Sequence, residues 1–131
     1  LGKILQISCP KCNYLKQIHV GHGMADFHLE QIMTYFTEED SKRIMKYQSE
    51  GMIEHFHYDR KLSICPGCRR LDSTPTLELI LHSGDTVKFH AKCTYCNEEP
   101  EILRDISNEK SVTCPYCNNG ELSIQQAGYW D

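Results

Sequence analysis

Apolar and polar positions alternate near the start of the chain. Ile4, Leu5 and Ile7 stand among polar neighbours at positions 3–8, and Leu15, Ile18 and Val20 alternate with polar residues across 14–20. Two strands are predicted there, on either side of Cys9-Pro10-Lys11-Cys12, and Gly21-His22-Gly23 ends the second. From Leu29 the period changes. Leu29, Ile32, Met33 and Phe36 follow the i, i+3, i+4, i+7 spacing of one buried helical face, with Asp26 as the N-cap. Thr37 caps a second helix, with Glu38, Glu39 and Asp40 in its positively polarised first turn and Gly51 at its stop. Its apolar residues, Ile44, Met45 and Tyr47, are few, so most of that helix should be solvated. Residues 52–64 read as strand with a reversal near Asp59 to Lys61, and 69–75 as a turn-rich linker. Positions 76–82 and 86–92 read as a hairpin around Ser83-Gly84-Asp85. Residues 121–131 read as a last strand whose Tyr129-Trp130 packs back on its own domain.

The cysteines decide how these elements are held. All eight fall in four C-x2-C pairs, at 9/12, 65/68, 93/96 and 114/117, and 17 residues separate Cys96 from Cys114. Two residues between cysteines let one tight turn aim both sulfurs at one point. Two such turns complete a tetrahedron with Zn–S distances of about 2.3 Å. A mononuclear iron centre uses the same four thiolates, so the spacing leaves zinc and iron open, and zinc suits a pair of such sites better. Cys114-Pro115-Tyr116-Cys117 also matches a redox dithiol, which sits at a helix N-terminus that lowers the first thiol's pKa. Asn118-Asn119-Gly120 then a strand pattern follow here, so metal binding is the expected role.

Sequential pairing closes the shortest loops: Cys9, Cys12, Cys65 and Cys68 on one Zn²⁺, and Cys93, Cys96, Cys114 and Cys117 on the other. Interleaved pairing, first with third and second with fourth, is the alternative. The expected fold is small, α+β and zinc-stabilised. Two β-hairpin zinc ribbons occupy residues 1–72 and 73–131, a helical hairpin (about 26–50) is inserted in the first, and the Leu29 to Phe36 stripe covers the zinc hairpins. At 131 residues the core is modest, and metal would make up for it.

Charge and compartment narrow the functional classes. Paired C-x2-C motifs favour a reduced, cytoplasmic protein over a disulfide framework, and no apolar run is long enough for a membrane span. The formal charge of −4 falls to about −8 when two tetrathiolate sites are counted, each −2, which disfavours nucleic acid. A nucleic-acid-associated ribbon using Arg60, Lys61, Arg69 and Arg70 around Tyr58 is the second reading. The acidic residues Glu98, Glu99, Glu101 and Asp105 read as a solvated loop. Among seven histidines, His55 and His57 share a predicted strand face and His19, His22 and His28 border the first hairpin, which would be the basis for a metalloenzyme. The H-E-x-x-H, P-loop, nucleophile-elbow and deaminase motifs are absent, so no enzyme activity is expected.

Ile7-Ser8-Cys9-Pro10-Lys11-Cys12, a helical segment and then Cys65-Pro66-Gly67-Cys68 resemble the small bacterial zinc-ribbon proteins of the CpXC family. The ending, Cys114-Pro115-Tyr116-Cys117 through Tyr129-Trp130-Asp131, is similar to the C-terminal ribbon of Firmicutes proteins of comparable layout. Cys93-Thr94-Tyr95-Cys96 departs by lacking proline, and Asn13 stands where such knuckles usually carry glycine. The resemblance implies zinc and a bacterial cytoplasm. The resulting expectation is a non-enzymatic structural zinc protein acting as an adaptor for a protein partner.

Overall fold

The computed structural model describes residues 2–103 and 112–131. β1 (Gly2–Ser8) and β2 (Leu15–Val20) form an antiparallel hairpin, with Lys3 opposite Val20 and Ser8 opposite Leu15. The last strand, β7 (Ser123–Trp130), adds to the other edge of β1, giving a sheet ordered β2-β1-β7. Leu5, Ile7 and Ile18 are buried on one face of this sheet, while Gln6, Gln17 and His19 are exposed. That is the period-2 alternation of a half-buried sheet. Trp130 holds the tail down as expected: its Nε1–H donates to Val20 O at 2.9 Å and its ring stacks on His19.

The second sheet is ordered β5-β4-β3-β6, from β3 (Ile53–Ile64), β4 (Leu71–Leu81), β5 (Thr86–His90) and β6 (Glu101–Ile102). The two sheets are joined where Gly21 and Arg60 exchange both backbone hydrogen bonds at 2.8 Å. The reversal expected at Asp59 to Lys61 does not occur, because β3 runs unbroken for 12 residues. Nor is 69–75 a linker. β4 begins at Leu71 and includes Pro75, opposite Arg60. Arg60 turns its N–H and C=O to Gly21, away from β4, and Pro75 lies beyond the last β4–β5 pair. No ladder bond is therefore lost to proline.

The insertion is helical but its first helix is broken into short pieces. A 3₁₀ turn (Met24–Phe27), a four-residue α1 (Leu29–Ile32) and a second 3₁₀ turn (Met33–Tyr35) replace it, with His28 extended between the first two. Asp26 caps no long helix. Its buried carboxylate accepts the Gly23 N–H at 2.8 Å and the Tyr35 hydroxyl at 2.9 Å, tying the two 3₁₀ turns together. α2 (Glu38–Ser49) matches its prediction, with Thr37 Oγ1 accepting the Asp40 N–H.

Leu29, Ile32, Met33 and Phe36 are all buried, but against the larger sheet rather than the cysteine hairpins. With Ile44 they pack on Tyr58, Leu77, Leu79, Leu81 and Phe89. A second core gathers Leu5, Ile7 and Ile18 from the smaller sheet, Leu62 and Leu71 from the larger, Leu122, and the sulfur-bearing Cys9 and Cys114. Truncating a side chain that is fully enclosed should cost far more than truncating an exposed one. Leu79→Ala, at 0 % exposure, is expected to lower the unfolding free energy by about 2–5 kcal/mol, and Met45→Ala, at 54 %, by about 0.5 kcal/mol or less, in urea titrations of the metal-loaded protein.

Candidate metal centres

The four C-x2-C pairs fold into the same turn. In each, the first cysteine's N–H donates to a carbonyl beyond the pair: Cys9 to Tyr14, Cys65 to Arg70, Cys93 to Glu98 and Cys114 to Gly120, at 2.8–3.0 Å. Its carbonyl accepts the N–H of the residue that follows the second cysteine, namely Asn13, Arg69, Asn97 or Asn118. Those four residues all lie in the left-handed region, with φ of 61° or 63°. Asparagine adopts that region readily, whereas arginine does so at a cost of about 1–2 kcal/mol. The asparagine after three of the four pairs is thus a sequence signal for the turn itself.

The turns meet two by two, in a nested order. Cys9 and Cys12 face Cys114 and Cys117, the two ends of the chain, while Cys65 and Cys68 face Cys93 and Cys96. Within each set the first cysteine of one turn approaches the second of the other: Sγ–Sγ separations are 3.7 Å for Cys9–Cys117 and Cys12–Cys114, 3.2 Å for Cys65–Cys96 and 3.6 Å for Cys68–Cys93. Four sulfurs about 2.3 Å from a common centre would stand about 3.8 Å apart, so both sets are close to the size of a tetrathiolate site. All eight are free thiols.

Sequential pairing is therefore wrong, as is the interleaved alternative. Relative to sequential closure, each nested loop is lengthened by less than about one doubling, which costs about 0.6 kcal/mol, and β1–β7 pairing readily outweighs that. The expected boundary between residues 72 and 73 falls inside β4.

Two glycines make the close approach possible. A Cβ at Gly120 would stand 2.5 Å from Cys9 Sγ, and one at Gly67 would stand 2.8 Å from Glu98 Cγ and 3.1 Å from Cys96 Sγ. The two centres are also in contact with each other. Tyr116 Oη, in the fourth turn, accepts the Leu71 N–H at 3.0 Å, and Arg69 in the second turn donates to Asn118.

Backbone donors prepare one thiol in each set for ionisation. The Cys68 N–H, aided by the Cys96 sulfur and Gly67 N–H and opposed by burial, holds Cys65 down at about 7. The Asn119 N–H, followed by that of Gly120, holds Cys117 at about 6 against burial. The remaining thiols feel the consequence. Tyr14's N–H favours the Cys12 thiolate, but burial and the sulfurs of Cys9, Cys114 and Cys117 push it up to about 12. Cys96 is pushed to about 12 in the same way, the Glu98 N–H being outweighed by Cys65, burial, Cys93 and Cys68. Four thiolates at one point need a cation between them, and these donors fit one.

No family model matches this chain, and no curated protein or solved structure is similar to it.

The histidines form no third ligand group among the described residues. His55 and His57 do share a face, with rings 5.2 Å apart, and both are exposed. His19 stacks on Trp130 and His22 meets the edge of Phe27. Among the described residues, the only groups of three or more metal-ligating side chains are the two cysteine sets. Tyr58, expected as an exposed stacking aromatic, is 6 % exposed in the core. Arg60 and Lys61, neighbours on β3, point to opposite faces of the strand. Asp105 of the acidic loop lies outside the described residues.

Nested pairing predicts which thiols lose protection together. In the metal-loaded Cys12→Ser variant, alkylation mapped by mass spectrometry should rise at Cys9, Cys114 and Cys117 and stay low at the other four. Rising alkylation at Cys65 and Cys68 would contradict the pairing. Cys12 and Cys96 must release protons when a cation binds, and Cys117 and Cys65 take up protons as pH falls through about 6 and 7. Metal affinity should therefore fall from pH 8 to pH 6, by about tenfold or more in a competition titration.

Proposed function

We propose that the chain is a non-catalytic, zinc-stapled interaction module in which Cys9, Cys12, Cys114 and Cys117 hold one structural Zn²⁺ and Cys65, Cys68, Cys93 and Cys96 a second. The observation that carries this reading is the closure of both sets: each supplies four sulfurs, and neither includes a histidine or carboxylate. A four-thiolate zinc has no open position for a substrate. When bound, zinc supplies divalent charge that holds the thiolates together, without redox chemistry of its own. The chain's residues supply the backbone N–H donors, the left-handed turns and the apolar enclosure of Cys9, Cys65 and Cys114. Zinc is favoured over iron because a pair of closed four-thiolate sites suits a structural role.

The staples account for a fold with few long elements. Structural zinc contributes about 10–16 kcal/mol in small peptides, comparable with or above the whole stability of an ordinary domain. The same reading places the protein in a reducing compartment such as the cytoplasm, where eight thiols remain available to metal. No helix among the described residues is long and apolar enough to cross a membrane. An adaptor role for a protein partner is supported by exposed apolar side chains on the first 3₁₀ turn, Met24 at 69 % and Phe27 at 62 %.

Elemental analysis of protein purified without a metal-affinity step should find two zinc per chain, and complete chelation should abolish the folded circular-dichroism spectrum. Iron in place of zinc, or a spectrum unchanged by complete metal removal, would overturn the structural assignment. A third metal per chain would return attention to the histidines.

A further inference from the structure

Beside the inner cysteine set, a recess of about 370 Å³ opens between the second 3₁₀ turn, the β3–β4 pair and the third cysteine turn. Its size is at the small end of ligand pockets, about 300–1,000 Å³. Three cationic residues line it, Arg60, Arg70 and Lys92, together with hydroxyl-bearing residues that include Ser73 and Thr94. Asp72 is the one acidic residue in the lining, and its Oδ1 accepts the Ser73 N–H at 2.8 Å. For a chain of net charge −4, this is a marked concentration of positive charge.

Each of the two arginines stacks on an aromatic ring. Arg60 Cζ lies 4.8 Å above the Tyr35 ring, and Arg70 Cζ lies 3.9 Å above the Tyr95 ring. Tyr35 is itself anchored, since its hydroxyl donates to the buried Asp26 carboxylate. A guanidinium stacked on a ring keeps its in-plane N–H donors available, and their fork matches phosphate oxygens. None of the three cations forms an ion pair among the described residues: the pairs there are Lys42–Glu38, Arg43–Asp40 and His90–Glu99.

From this lining we propose that the recess binds the phosphate of a small phosphomonoester. Three cations and one carboxylate leave a charge of about +2, which complements a phosphomonoester dianion of about −1.5 to −2 better than a carboxylate of −1. The competing account is that the cations only balance thiolate charge, since Cys65 and Cys93 stand at the edge of the recess. Arg60 favours a ligand, because it stacks on Tyr35 in the helical insertion rather than on a cysteine turn.

The test is a ¹H–¹⁵N NMR titration of the metal-loaded full chain with inorganic phosphate, adenosine 5′-monophosphate and a short single-stranded oligonucleotide. Saturable shifts at Ser73, Thr74, Lys92 and Thr94 are expected with the first two. R60Q/K92Q should weaken binding by about tenfold or more while keeping full metal content. Ser73→Asp, which adds a competing carboxylate without removing the Arg60–Tyr35 contact, should do the same. Lys61→Gln, on the opposite face of β3, should leave affinity within about twofold. Absence of saturation would overturn the proposal, as would shifts centred on Lys61 and Lys88. So would R60Q/K92Q losing metal with phosphate affinity intact, the signature of charge balance alone. An oligonucleotide that binds the recess more tightly than the monophosphate would replace it with a nucleic-acid site.

Discussion

The structure depends on bringing the fourth cysteine turn against the first. Cys12 and Cys114 are 102 positions apart, yet their sulfurs approach to 3.7 Å. That closure is carried by strand pairing as much as by thiols: β7 runs antiparallel to β1 from Ser123 opposite Ser8 to Trp130 opposite Gly2, delivering the fourth turn to the first. Burial reinforces it, because Cys9 and Cys114 belong to the same apolar cluster as Leu5, Ile7 and Leu122. A metal at this point would act on the whole chain, since everything between the two turns lies inside the loop it closes.

The inner set works over a shorter range. It ties the β3–β4 hairpin to the segment leaving β5, and β6 then returns to pair with β3. The two sets are mechanically linked through Tyr116 and Leu71, through Arg69 and Asn118, and through Leu62 and Leu71 in the core that both sheets share. The helical insertion is supported differently, by a separate apolar cluster on the face of β3, β4 and β5, with Asp26 and Tyr35 fixing its short turns.

Positive charge is distributed with the same economy. Arg60 and Arg70 stack on aromatic rings at the edges of one recess, whereas Lys61 faces away on the alternating side of β3. The basic residues were visible in the chain as adjacent pairs, but strand alternation sent the members of one pair to opposite faces. A lining of mixed origin, with residues from β3, β4, the third cysteine turn and the helical insertion, has no signature in linear order.

Local chemistry was legible in the sequence because it depends on near neighbours. The C-x2-C spacing identified all eight clustered cysteines, Thr37 identified the start of α2, and the alternation at 3–8 and 14–20 identified the first hairpin. Leu29, Ile32, Met33 and Phe36 were recognisable as one buried face, whereas the left-handed asparagine after three of the cysteine pairs was recognised only from the structure. Which turn meets which was decided only by tertiary structure. Loop entropy varies too slowly with length to choose among pairings, while strand register, the space left by Gly67 and Gly120, and the shared core act between residues far apart in the chain. The broken first helix and the unbroken β3 have the same origin: Asp26 finds a better partner in Tyr35 than in a helix N-terminus, and Arg60 finds one in Gly21.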